Sequence, residues 1–158
     1  MKKQALKAAT MLVSIIALAF MTAVVSNAQS RSAKLRANIP FDFVVGDKTL
    51  AAGDYVVGQA TSTSDEAIAV RSADGRQSAA RLTNTVQART PKDRAMLIFK
   101  RYGNSYFLAQ IWTPGSAEGR EVLKSKAERA TEQELAKNPS RGELAQNAET
   151  VTIYATIQ

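Results

Sequence analysis

The stretch from Ala95 to Thr113 constrains the fold more than any other part of this chain. Two apolar runs meet at Gly103-Asn104, a pair of turn formers that predicts a hairpin with a two-residue loop. With that loop, Arg101 faces Tyr106, Phe99 faces Leu108, Leu97 faces Gln110 and Ala95 faces Trp112. On the other side Lys100 meets Phe107, Ile98 meets Ala109 and Met96 meets Ile111. Directly opposed residues share a face, so both faces of the hairpin are rich in apolar groups. A sheet open to water on one side alternates apolar with polar instead. Something must therefore cover each face.

The flanking segments carry the same period. Ile39, Phe41, Phe43 and Val45 alternate along one predicted strand, with Pro40 marking an edge or a strand start. Gly46-Asp47-Lys48 and Ala52-Gly53-Asp54 supply turns. Tyr55 to Thr61 reads as a second strand with Gly58 a place for a bulge, and Ala67 to Arg71 as a third. Asp74-Gly75 signals a hairpin. A three-residue loop with Gly75 left-handed aligns Ile68 and Val70 with Ala80 and Leu82, whereas a two-residue loop sets Arg81 opposite Ile68. Burial favours the first.

After Pro114-Gly115, residues 119–138 are rich in Ala, Glu, Lys, Arg and Leu without internal Pro or Gly, which predicts a helix ended by Pro139 and Gly142. Its thin apolar stripe is Leu123, Ala127, Ala130 and Leu135. Strict alternation returns over 149–157, with Val151, Ile153, Ala155 and Ile157 on one side. This last strand must re-enter the sheet beside an early one. The expected fold is mainly β: an antiparallel β-sandwich or small barrel with one C-terminal α-helix before a final strand, in a single β-rich domain over 34–158.

The first 28 residues read as a signal peptide. Lys2, Lys3 and Lys7 precede an apolar run from Ala8 to Val25, and Ser26-Asn27-Ala28 sets small residues where a signal peptidase cuts, after Ala28. Residues 29–33 form a short tether. The alternative is an inner-membrane anchor through residues 8–25, at the lower limit of a bilayer span. Cleavage removes three lysines and lowers the net charge from +7 to +4. Basic and acidic groups are then interspersed with no basic stripe, which argues against nucleic acid as a partner. The membrane is a partner only through the leader, before cleavage. The protein is expected to be exported, periplasmic or extracellular.

The chain has no cysteine and no histidine. That excludes disulfides, Cys/His zinc sites, a lipid-modified cysteine, a Ser-His-Asp triad and an imidazole base. No phosphate-binding glycine loop, nucleophile elbow or calcium loop is present, so no catalytic residue, metal site or cofactor is assigned. The acids Glu118, Glu121, Glu128, Glu132 and Glu134 read as a solvated helix face, and Asp42 and Asp54 as turn hydrogen-bonders. Arg101, Tyr106, Gln110 and Trp112 are the candidate ligand-binding set, since an arginine, an amide and two aromatics among aliphatics suit a small-ligand pocket. The packing alternative lays Arg101 over Tyr106, has Gln110 cap a backbone group and buries Trp112 under the helix.

Several segments together carry a resemblance: Ile39-Pro40-Phe41-Asp42-Phe43-Val44-Val45-Gly46-Asp47-Lys48-Thr49-Leu50, Ala52-Gly53-Asp54-Tyr55, Arg71-Ser72-Ala73-Asp74-Gly75-Arg76 and Phe99-Lys100-Arg101-Tyr102-Gly103. Tyr106-Phe107-Leu108-Ala109-Gln110-Ile111-Trp112 and Gly119-Arg120-Glu121 follow. In order and spacing the chain resembles a family of short exported bacterial proteins of unknown function, with Ala51 where that family sets a proline. The resemblance implies export and a shared β-rich fold, and carries no activity or cofactor. The leading expectation is a non-catalytic envelope or extracellular module that binds or builds, with an envelope protein or a small ligand as partner. A small-ligand carrier using the 95–113 hairpin and a carboxylate-based glycan hydrolase are the alternatives.

Overall fold

The computed structural model describes residues 33–61, 64–137 and 148–158. The leader, its cleavage site, residues 29–32 of the tether, and Pro139 and Gly142 lie outside the described residues. The strands are β1 (Leu35–Ile39), β2 (Phe43–Val45), β3 (Lys48–Leu50), β4 (Gly53–Thr61), β5 (Ser64–Ser72), β6 (Ser78–Gln87), β7 (Ala95–Tyr102), β8 (Ser105–Trp112) and β9 (Glu118–Val122). Helix α1 (Lys126–Ala136) and strand β10 (Glu149–Ile157) complete the order.

The strands close into a barrel rather than a sandwich. Around the ring run β8, β7, β10, β1, β4, β5, β6 and β9, each antiparallel to its neighbours, and β9 pairs back onto β8. Closure removes the exposed edges that an open sheet must protect. The last strand rejoins the first, as expected: Leu35 stands opposite Ile157 and Arg36 opposite Thr156, while β10 also pairs β7 along its length.

The inward side chains make one core. Leu35, Ile39, Val57, Val70, Leu97 and Phe99 are buried, and an aromatic cluster sits among them. Phe99 meets Phe41 and Phe43 edge-on at 5.3 and 5.5 Å, and Phe43 meets Tyr55 at 5.0 Å.

Pro40 ends β1, and the alternation of Ile39, Phe41, Phe43 and Val45 does not mark one strand. The side chains keep pointing into the core, but the backbone leaves β1 and crosses the end of the barrel. There β2 pairs parallel with Tyr106 and Phe107 of β8, and β3 pairs β2. Lys48 Nζ donates to the Ser78 carbonyl at 2.7 Å, and the Ala51 amide donates to Gln77 Oε1 at 3.0 Å. The β2–β3 unit therefore spans from β8 to β6 and plugs this end with Phe43, Val45 and Leu50, all fully buried. Asp42 and Asp54 do local work: Asp42 accepts from the Ala52 amide at 2.8 Å, and Asp54 accepts from Asn38 at 3.2 Å.

Three registers or boundaries differ from expectation. The β5–β6 turn has Gly75 left-handed (φ 73°), but the pairing is Ile68 with Arg81 and Val70 with Ala79. The loop is longer than three residues, with Ser72 and Gln77 bonded across it. An inward arginine is tolerated because its head leaves the core. Arg81 donates to the Leu123 and Lys124 carbonyls at 3.2 and 3.3 Å and reaches Asp47 at 3.9 Å, while Leu82 faces outward and is exposed. In β4 the irregularity falls between Gln59 and Thr61, just past Gly58.

The predicted helix over 119–138 is the third. Its first residues are β9, which closes the barrel between β6 and β8; that pairing overrides helix-favouring composition. The helix begins at Lys126, capped by Ser125, whose hydroxyl accepts from the Glu128 amide at 3.0 Å. Its packed side is not the expected apolar stripe. Ala127 and Ala130 are exposed, and Glu128 is buried against Tyr102, whose hydroxyl donates to it at 3.3 Å.

Burial pushes the Glu128 carboxyl above the usual glutamate range, against the pull of Lys124 and Lys100. A raised carboxyl binds its proton more tightly in the folded state, so this group favours folding most below the ordinary glutamate pKa, and that contribution fades as pH rises through the raised value. Glu128→Gln keeps an acceptor for Tyr102 and removes the charge. Thermal unfolding between pH 4 and 8 is expected to show the variant gaining on the parent as pH rises, with the gap closing in acid. A gap independent of pH would mean that Glu128 is solvated.

Candidate functional site

A bulge in the central hairpin decides where the expected site residues lie. Near the turn the predicted register holds: Arg101 with Tyr106, Lys100 with Phe107, Phe99 with Leu108. The register then slips by one at Ala109, so that Ile98 stands opposite Gln110, Leu97 opposite Ile111 and Met96 opposite Trp112. Every side chain of β8 beyond the slip changes face. Ile111 points inward with Leu97, and Gln110 and Trp112 point outward. The slip falls where the second edge of β8 changes partner, from β2 at Tyr106–Phe107 to β9 at Gln110–Trp112.

The four expected residues therefore do not share a face. Arg101 and Tyr106 stay together at the plugged end. The guanidinium lies 5.5 Å from the Tyr106 ring, donates to the Gly103 carbonyl at 2.8 Å and pairs with Glu149 at 3.0 Å. Tyr106 stacks on Phe41 at 4.0 Å. Gln110 accepts from Trp112 Nε1 at 3.1 Å, a side-chain partner rather than a backbone one. Trp112 is buried, but against Gly119 of β9 rather than under the helix, with Lys92 Nζ 5.2 Å above its ring. Each of the four is engaged in packing of its own.

The other end of the barrel is open. A cavity of about 270 Å³ lies where β1 begins and β8 ends. Its floor is Leu35, Val57, Ile68 and Ile111, the inward side chains of four strands. Its rim is polar: Gln59, Thr113, Ser116, Glu118 and Arg120. Arg120 faces inward because it stands opposite Ile111, and its Nη1 donates to Thr85 across β6 at 3.1 Å. A second depression, of about 330 Å³, reaches the same arginine and is lined by Glu66, Thr83 and Thr85 among others. An apolar floor under a rim of few polar groups is the usual make-up of a small-molecule site.

The rim was hidden in the sequence by the helix reading of residues 119–138. The signal that could have exposed it is the alternation Glu118, Arg120, Val122, which matches a strand opposite Ile111. The acids do not converge: Glu118 is at the mouth, Glu121 faces outward opposite Gln110, Glu128 lies under the helix, and Glu132 pairs with Lys124 at 2.8 Å. Comparison with known proteins found no matching family model, no matching curated protein and no matching solved structure, so the mouth is read from its own geometry.

Proposed function

We propose that this chain is an exported, non-catalytic binding module that takes a small, partly apolar molecule into the open mouth of its barrel. The observation that carries the reading is the asymmetry of the two ends. Aromatic and aliphatic side chains fill one, and the other keeps a cavity with an apolar floor and a polar rim. Small antiparallel barrels of eight strands have room for one such ligand and little more. Export rests on the leader, with Lys2, Lys3 and Lys7 ahead of its apolar run and small residues up to Ala28. The periplasm or the extracellular space is then the place of action. The absence of imidazole, thiol and nucleophile motifs supports binding rather than turnover.

Calorimetric titration of the full chain with medium-chain carboxylates and aromatic acids tests this. At least one is expected to bind saturably. Ile68→Trp fills the floor and Thr113→Trp narrows the rim, and each is expected to weaken binding by roughly tenfold or more. Thr113 stands at the rim, so its variant keeps the core intact. Binding that survives both substitutions in folded protein would place the site away from the mouth, and no saturable binding at all would remove the ground for a ligand there; either result overturns the reading.

A further inference from the structure

The outer face of β10, β1, β4 and β5 carries basic groups without acidic partners. Thr152, Tyr154, Thr156, Arg36, Asn38 and Arg71 are all exposed there. The registers set them in rows: Thr156 opposite Arg36, Arg36 opposite Val56, and Val56 opposite Arg71. Arg36 and Arg71 thus stand two strands apart in one row, about 10 Å by ordinary strand spacing. Lys34, two residues before Arg36, adds a third cation. Arg94 adds a fourth at the border, 5.5 Å from the Tyr154 ring. Of the described acids here, Asp54 is hydrogen-bonded by Asn38, and Asp93 lies beside Arg94 at the border. Among the described residues, Arg36 and Arg71 have no ion pair.

We propose that this face binds an acidic polysaccharide, with its carboxylates against Arg36 and Arg71 and a sugar ring against Tyr154. Charge complementarity calls for an anion, and cations spread over neighbouring strands of the barrel wall call for an extended one. The chemistry of the face selects among extended anions. Guanidinium groups fork carboxylates, threonine hydroxyls and the Asn38 amide suit sugar hydroxyls, and a ring that is 60% exposed offers a stacking surface. A lipid surface would be met by a lysine-rich face with several apolar side chains to insert. Here the large hydrophobic group exposed on the face is Tyr154, since Ile157 stands opposite the inward Leu35. This reading is independent of the barrel mouth.

Affinity electrophoresis of the full chain through gels containing polygalacturonate tests it. The parent is expected to be retarded, and less so as salt rises. Arg36→Glu with Arg71→Glu is expected to weaken retention roughly tenfold or more, by the loss of two charge-assisted contacts. Tyr154→Ala should weaken it with no change in charge. Lys126→Glu with Arg129→Glu alters net charge equally on the exposed side of α1 and should retain binding. Equal loss in both double variants would reduce the effect to overall charge and overturn the proposal. So would indifference to the face variants. So too would face-dependent binding to phosphatidylglycerol vesicles with none to polygalacturonate, an outcome that assigns the face to a lipid surface.

Discussion

Phe99→Ala is expected to cost about 3–5 kcal/mol of folding stability, since it empties a large ring from a closed core. Phe99 is 0% exposed. Its ring is the meeting point of the hairpin and the plug, because Phe41 and Phe43 both pack edge-on against it. Such aromatic pairs add roughly 0.5–1.5 kcal/mol beyond burial, and they are lost with the ring. Against the ~5–15 kcal/mol that holds an ordinary domain together, the variant would stand near its unfolding limit at room temperature. Urea unfolding measures it, with Leu82→Ala as reference. Leu82 is 56% exposed, and its truncation is expected to stay within about 0.5 kcal/mol. Similar losses from the two would mean that the plug does not pack on Phe99.

Gly119→Ala is the second large effect, and here a single methyl group is enough. A Cβ at Gly119 would lie 2.7 Å from Cδ2 and Cε3 of Trp112, inside any real contact distance. The neighbour is a rigid ring on a paired strand, not the loose end of a side chain. The indole must therefore swing off β9. It would leave Gln110 Oε1 without its donor and lose the Lys92 ammonium above it. Overpacking of this kind costs roughly 1–3 kcal/mol, and the opened seam between β8 and β9 adds to it. The fluorescence readout is direct, because Trp112 is the one tryptophan in the chain. Emission should move to the red in Gly119→Ala. Trp112→Leu in the same background should recover part of the stability, a non-additivity expected of touching residues. Unchanged emission and unfolding would place the indole elsewhere.

Period-two alternation made most of the barrel strands legible, and the return of the last strand to an early one was expected from the long excursion before it; the structure sets it beside β1. The positions of the turns at Gly75 and Gly103 were equally plain, each with a positive φ that glycine supplies freely, but the length of the Gly75 loop was not. What local sequence could not carry were choices made by distant partners. The slip at Ala109 exists because β8 must satisfy β2 on one half of its edge and β9 on the other. That slip separated Gln110 and Trp112 from Arg101 and Tyr106, and the expected pocket dissolved with it. Arg81 facing inward looked costly until the Leu123 and Lys124 carbonyls were seen to receive its head. Residues 119–122 compose like a helix, yet they pair on both sides as a strand. The capping signal Ser125-Lys126-Ala127-Glu128 was there to mark the true helix start.

The place of β10 between β7 and β1 has a consequence for how the molecule reaches this state. Until residues 149–157 dock, the other strands form an open sheet with two bare edges, one at β1 and one at β7. The contacts that close the ring join residues more than a hundred positions apart, such as Leu35 and Ile157. Bringing such segments together is entropically slow, and the waiting edges are templates for other chains. Folding thus finishes only after residues 149–157 are free to move, and the half-built sheet is the species a chaperone would have to guard.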